Sequence, residues 1–142
     1  MDAVLVIGRI LFAALFISSG IAHFAKFEAM AGYAKYKNLL AAKFGVMASG
    51  LFLILGGIYI ALGIWVDLGA LLIAITLFFT AGIFHKFWNE SDATAKMNEN
   101  SHFMKDLSLA GAALILFVLI YQGYVADGDF GPHVGNLSFF NK

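Results

Sequence analysis

The sequence predicts an all-α integral membrane protein whose four helices cross the bilayer as an up-down-up-down bundle. Hydrophobic residues make up 61% of the 142 residues and charged residues only 13%, and the mean hydropathy is +0.85. Soluble domains carry about 25% charged residues, so this deficit is typical of a chain solvated by lipid. Four apolar stretches, each near the roughly 20 residues that a spanning helix needs, take up most of the length. One transmembrane domain over residues 1–142 is therefore expected.

The predicted spans cover residues 3–22, 45–66, 68–84 and 107–126. The first span follows Asp2 rather than a basic segment, and Arg9 interrupts it. A secretory signal peptide has a positively charged start and a shorter apolar core. The N-terminal run is therefore interpreted as a retained first helix.

The connections between the spans differ in character. Large apolar residues recur every three or four positions over 23–43, with lysines between them, which predicts a short amphipathic helix along the interface. A tight turn is expected at Asp67 and a polar loop over 91–100. Asn100 or Ser101 is the predicted N-cap of the last helix.

Glycines recur every seven residues in the second span, at Gly50 and Gly57 and again at Gly56 and Gly63. Small residues at this repeat form a seam that another helix can approach closely. The seam is compatible with packing inside the bundle and with docking on a partner.

The lysines predict the orientation. Seven lie in the two connections that an antiparallel bundle places on one side: Lys26, Lys35, Lys37, Lys43, Lys86, Lys96 and Lys105. The opposite side has Lys142, and Arg9 lies within the first span. The positive-inside rule then puts both connections in the cytoplasm and both termini outside.

Several chemistries are excluded by composition. The chain has no cysteine, so disulfides, thiol chemistry, Cys-ligated zinc and iron–sulfur clusters are absent. The formal net charge is +0, which argues against nucleic acid as a partner.

Arg9 is the one charged residue of the first span and lies about 9 Å along its axis. An intramembrane charge marks a functional or a pairing position. Phe16 and His23 follow it at intervals of seven and share roughly one helix face with it. Arg9 is therefore a binding residue on an internal face, half of a structural ion pair with Asp67 or another aspartate on that side, or a side chain that snorkels to the membrane surface.

Three histidines end or begin spans that meet at one predicted surface: His23, His85 and His102. Their expected neighbours are Lys26, Lys86, Lys105 and Asp106. Gathered imidazoles bind a metal or haem, or exchange protons with a quinone. No pair of histidines at i, i+4 strengthens a metal site, so a quinone is favoured over haem or metal. The alternative interpretation is that the three histidines form no site and are simply polar residues tolerated at the ends of membrane spans.

Trp88 lies beside Phe84 and Phe87 at the end of the third span. Its indole suits stacking on a flat quinone ring, although tryptophan at a span end more often belongs to the aromatic belt, as Trp65 does. No catalytic residue and no metal ligand is assigned. The candidate binding residues are Arg9, His23, Lys26, His85, Trp88, His102 and Lys105.

These elements together resemble the DoxX family of small bacterial and archaeal membrane proteins, which implies a multi-pass protein of the prokaryotic inner membrane. The resemblance is carried by Arg9-Ile-Leu-Phe, Phe16-Ile-Ser-Ser-Gly20, Lys26, Leu55-Gly56-Gly57, Phe84-His85-Lys86-Phe87-Trp88 and His102-Phe103-Met104-Lys105-Asp106-Leu107. It implies a four-span fold and an association with membrane oxidoreductase systems, including thiosulfate:quinone oxidoreduction. Many members have a glutamate shortly before the Gly-Gly pair, where this chain has Leu53 or its neighbours, so a proton-transfer step at that position is in doubt.

Two functions stay open. The first is a subunit or accessory of a quinone-linked oxidoreductase system, with Arg9 and His23 on an inner face and His85, Trp88, His102 and Lys105 at its mouth. The second is a non-catalytic accessory or scaffold subunit that docks on a larger membrane complex or on itself. A transporter is a weaker third alternative, because no broken-helix site is visible.

Overall fold

The computed structural model describes residues 1–141 and contains five α-helices. They are α1 (Asp2–Ala25), α2 (Phe27–Tyr36), α3 (Ala42–Leu62), α4 (Val66–Phe84) and α5 (Ala93–Tyr121). All except α2 are long and apolar enough to cross a membrane. Short 3-10 turns at Phe87–Asn89 and Asp127–Asp129 lie in the connections, and residues 1–141 contain no strand. The predicted four-helix membrane architecture is confirmed.

The spanning helices pack in chain order. α1 packs against α3, α3 against α4, and α4 against α5. Within residues 1–141, the backbones of α1 and α5 come close to each other at few points, so the bundle is packed less tightly between these two helices. Phe16, Ile60 and Ile73 are the largest fully buried apolar side chains and lie in one core with Ala110 and Ala113 of α5.

The glycine seam of α3 is filled by helices of the same chain. A Cβ at Gly56 would lie 2.7 Å from the carbonyl oxygen of Gly69 in α4. A Cβ at Gly57 would lie 2.6 Å from Cγ1 of Ile17 in α1. Glycine is required at both positions because the neighbouring helices leave no room for a side chain. The seam therefore builds the bundle itself.

α4 begins earlier than the sequence suggests. Gly63 (φ +68°) and Trp65 (φ +49°) reverse the chain in left-handed conformations, so the helix starts at Val66 and Asp67 lies in its first turn. The predicted turn at Asp67 is thus displaced by a few residues. Asp67 is fully buried, because its carboxylate binds a distant segment of the chain.

α5 begins at Ala93, so the predicted loop over 91–100 is wrong. Asp92 caps the helix by accepting a hydrogen bond from the backbone N–H of Ala95 at 2.8 Å. The predicted cap at Asn100 or Ser101 lies inside the helix. The other end is also displaced, because Gly123 (φ +68°) stops the helix after Tyr121, short of the predicted residue 126.

α2 is the short helix expected between the first two spans. It buries Ala31 and Ala34 against Val46 of α3, while Tyr33 stacks on Phe84 at the end of α4, with ring centroids 5.8 Å apart. Tyr36 is largely exposed. One face of α2 thus attaches it to the bundle.

The segment 122–141, called the tail below, folds back over the turn between α3 and α4. The backbone N–H groups of Trp65 and Val66 donate to the carbonyls of Asn136 (2.8 Å) and Leu137 (2.6 Å). Phe130 and Leu137 of the tail are buried in the main core. The tail thereby satisfies backbone donors at the start of α4 that have no partner within the helix.

Candidate functional site

The candidate residues divide between the two ends of the bundle. The tail end comprises the start of α1, the turn between α3 and α4, and the tail. The loop end comprises the last turn of α1, Lys26, α2, residues 85–92 and the first turns of α5. Arg9 lies at the tail end and the other six candidates lie at the loop end. The 19 residues of α4 separate the two ends by about 28 Å. Arg9 and the histidines therefore belong to separate sites.

His85 is the centre of the loop-end cluster, which consists of His85, Glu99, His102, Lys105 and Asp106. Its Nδ1 lies 2.8 Å from Oε2 of Glu99, and its Nε2 lies 3.6 Å from Oδ2 of Asp106. The end of α4 thus presents the imidazole to two carboxylates that lie two turns apart on α5. A ring with a carboxylate near each nitrogen is arranged to take up a proton on one side and release it on the other.

His102 completes the cluster from the outside. Its ring stacks on that of His85, with centroids 5.1 Å apart. Lys105 Nζ lies 3.4 Å from His102 Nδ1 and 3.7 Å from an oxygen of Asp106. Asp106 is only 4% exposed, so the neighbouring ammonium and imidazole offset the cost of burying its charge.

An aromatic group adjoins this cluster. Phe87, Trp88 and Phe103 contact one another edge to face, with centroids 5.2–5.7 Å apart. Trp88 remains 51% exposed. An indole held by two phenyl rings and open on its other side offers a surface on which a flat ring can stack.

His23 and Lys26 lie at the same end on a different part of the bundle. His23 Nδ1 lies 2.8 Å from the carbonyl of Ser19 one turn earlier, and its Cβ faces Gly50 of α3. Lys26 separates α1 from α2 and is exposed. Among residues 1–141, no hydrogen bond or ring contact joins His23 to His85 or His102. The structure brings two of the three histidines into contact.

Arg9 is 7% exposed and binds backbone carbonyls. Nη1 donates to Phe130 (3.0 Å), and Nη2 donates to Ala61 (3.0 Å) and Pro132 (2.8 Å). The guanidinium also lies 4.9 Å from the centroid of the Phe130 ring. The expected ion pair with Asp67 is wrong, since neither Asp67 nor another acid within residues 1–141 lies within 4 Å of it. Arg9 instead ties α1 to α3 and to the tail.

Asp67 holds the tail from α4. Its carboxylate accepts hydrogen bonds from the hydroxyl of Ser138 (2.5 Å) and from the N–H groups of Leu68 (2.8 Å), Phe139 (2.8 Å) and Phe140 (3.4 Å). The one feature of the sequence that pointed to a structural role for Asp67 was its position as an acidic residue beside the start of an apolar span. Its three partners in the tail lie more than 70 residues away, so no local pattern identifies them.

Glu99 is the member of the loop-end cluster that the sequence analysis missed. It falls in the segment 91–100 that was predicted as a loop. Once this segment is helical, Glu99, His102 and Asp106 follow at intervals of three and four and share one face. Within residues 1–141 no group of three or more His, Cys, Asp or Glu side chains could hold a metal ion.

Comparison with known proteins gives one match. Residues 4–86, more than half of the chain, match the DoxX family. No curated protein and no solved structure matches the chain. The matched region includes Arg9, His23, Lys26 and His85, whereas Trp88, His102 and Lys105 follow it. With its four apolar helices, this chain belongs to the DoxX family of membrane proteins.

Proposed function

We propose that this protein is a redox-associated membrane subunit that exchanges protons with a quinone at its loop end. The observation that carries the proposal is the position of His85 between Glu99 and the buried Asp106. Reduction of a quinone to a quinol takes up two electrons and two protons. The electrons come from a partner oxidoreductase subunit, and the cluster supplies the protons.

Each member of the cluster has a defined part. Glu99 is half-buried and takes protons from water. His85 transfers them towards Asp106, while His102 stacks on His85 and meets the bulk solvent. The quinone ring stacks on the open side of Trp88, and Lys105 stabilises negative charge that develops on the ring oxygen before it is protonated.

Tryptophan fluorescence tests where the quinone binds. The chain has two tryptophans, and they lie at opposite ends of the bundle, with Trp65 at the tail end. Trp65→Phe leaves Trp88 as the only indole, and Trp88→Phe leaves Trp65. Titrating each variant in liposomes with a short-tailed benzoquinone should quench Trp88 saturably, and Trp65 only by linear collisional quenching.

The histidines are then tested in the background that retains Trp88. His85→Ala with His102→Ala should remove the saturable quenching and also abolish quinone reduction in membranes that carry the protein. His133→Ala is the matched control, because His133 is exposed and, within residues 1–141, its ring bonds only to the carbonyl of Gly131 at the tail end. Linear quenching of Trp88, or saturable quenching that survives the double substitution, would refute the proposal.

The scaffold alternative was motivated by the glycine seam, the small size of the chain and the absence of a complete catalytic set. The seam no longer favours it, because Gly56 and Gly57 are occupied by α4 and α1 of the same chain.

A further inference from the structure

A cavity of about 450 Å³ lies at the tail end between α1 and α5, the two spanning helices that do not pack closely. Leu5, Gly8 and Phe12 line it from α1, and Ala112 and Leu116 line it from α5. The lining is predominantly apolar, and the cavity is open to the surroundings. In a bilayer, an opening between two spanning helices faces lipid.

Arg9 borders this cavity with a charge that no anion balances. Its two terminal nitrogens use neutral backbone carbonyls, and its Nε is buried without a hydrogen-bond partner among residues 1–141. A buried N–H without an acceptor and a buried charge without a counter-charge both cost free energy. The site therefore has the chemistry to receive an anionic oxygen.

Two carboxylates border the same cavity nearer to water. Asp2 and Asp129 both line it, both are exposed, and neither has a salt-bridge partner in the described chain. The cavity thus presents a cation at its buried side and two anions at its exposed side. A ligand with a negative group inside and a positive group outside matches this order of charges.

We propose that the cavity binds a phospholipid with a primary-amine head group. The phosphate accepts a hydrogen bond from the Nε–H of Arg9, and the ammonium lies beside Asp2 and Asp129. The acyl chains continue between α1 and α5 into the bilayer. Basic pockets between spanning helices are known to bind the phosphates of lipid head groups, and the two carboxylates add a contact for the amine. A quinone fits less well, because a neutral carbonyl leaves the guanidinium charge unbalanced and gives the aspartates no partner.

Native mass spectrometry of protein reconstituted with equal amounts of phosphatidylethanolamine and phosphatidylglycerol tests the proposal. The wild type should retain phosphatidylethanolamine over phosphatidylglycerol by about tenfold, the factor expected for one hydrogen bond between charged groups. Asp2→Asn with Asp129→Asn removes both carboxylates and should bring the two lipids to equal retention.

A cavity-filling variant tests the location without disturbing Arg9, whose loss also releases the tail. A Cβ at Gly8 meets no atom within 4 Å, so Gly8→Phe places a ring in the cavity and leaves the three carbonyl bonds of Arg9 intact. Gly82→Phe is the matched control, because Gly82 is equally open but lies in α4 away from the cavity. Gly8→Phe should lose the lipid, and Gly82→Phe should keep it.

Three results would overturn the proposal. They are equal retention of lipid by the Gly8→Phe and Gly82→Phe variants, preferential retention of phosphatidylglycerol by the wild type, and a co-purifying quinone that Gly8→Phe displaces. The last result is distinguishable from binding at the loop end, because Gly8→Phe leaves Trp88 and the histidines untouched.

Discussion

Replacing Asp67 by asparagine should loosen the tail selectively. The carboxylate accepts four hydrogen bonds, three of them from Ser138, Phe139 and Phe140 of the tail. An asparagine of the same shape keeps one acceptor oxygen and turns an NH₂ group towards the remaining donors. All the donors then lose a charged partner, and at least one tail N–H loses its acceptor altogether, which costs about 2 kcal/mol.

This free-energy cost predicts how much faster the backbone amides of the tail exchange with solvent. If the tail opens locally, a cost of about 2 kcal/mol raises amide exchange about 30-fold. Hydrogen–deuterium exchange of a peptide covering 134–141, measured by mass spectrometry in lipid nanodiscs, should show this rise while peptides from α3 remain protected. Ser138→Ala removes one donor and should give a smaller rise.

Asp127→Asn is the control for the general effect of removing an acid near the tail end, because Asp127 is exposed and makes no side-chain hydrogen bond within residues 1–141. Exchange in the tail should match the wild type in this variant. If Asp67→Asn also matches the wild type, Asp67 does not hold the tail and the reasoning is refuted.

Two further substitutions test the bundle. Gly56→Leu should lower the free energy of unfolding by about 1–3 kcal/mol, because its Cβ would meet a backbone oxygen of α4 at 2.7 Å. Thermal unfolding in detergent should show a lower midpoint than that of the control Gly82→Leu. Equal midpoints for the two variants would argue against close packing at Gly56. Asp92→Ala removes the cap of α5 at a cost of about 1 kcal/mol and should speed amide exchange of its first turn about fivefold, whereas equal protection would show that the cap contributes nothing.

The four-span fold was predictable because each span is set by its own composition. A run of about 20 apolar residues must form a helix in lipid whatever its neighbours are, and the glycine repeat of α3 showed where other helices approach. The start of α5 was missed for the same reason. Residues 93–106 are polar, and their helix is stabilised by its cap and by contacts of Glu99 and Asp106 with His85 rather than by lipid.

The candidate sites were predictable only in part. Antiparallel spans bring His85 and His102 to one end, and chain order alone indicates this. The partners of Arg9 and Asp67 depend on the tail, whose irregular backbone has no periodicity to interpret. An ion pair with a carboxylate was one of the alternatives for Arg9, and its acceptors are instead main-chain oxygens, which no sequence pattern identifies.

The contacts of Arg9 also set the order in which this protein can be assembled. α1 is synthesised before the tail, and two of the three acceptors of Arg9 belong to Phe130 and Pro132, which follow it by more than a hundred residues. Until synthesis reaches the tail, the Arg9 guanidinium lacks these two carbonyls and depends on water, lipid or the insertion machinery. α1 therefore reaches its final state only when the tail closes over it.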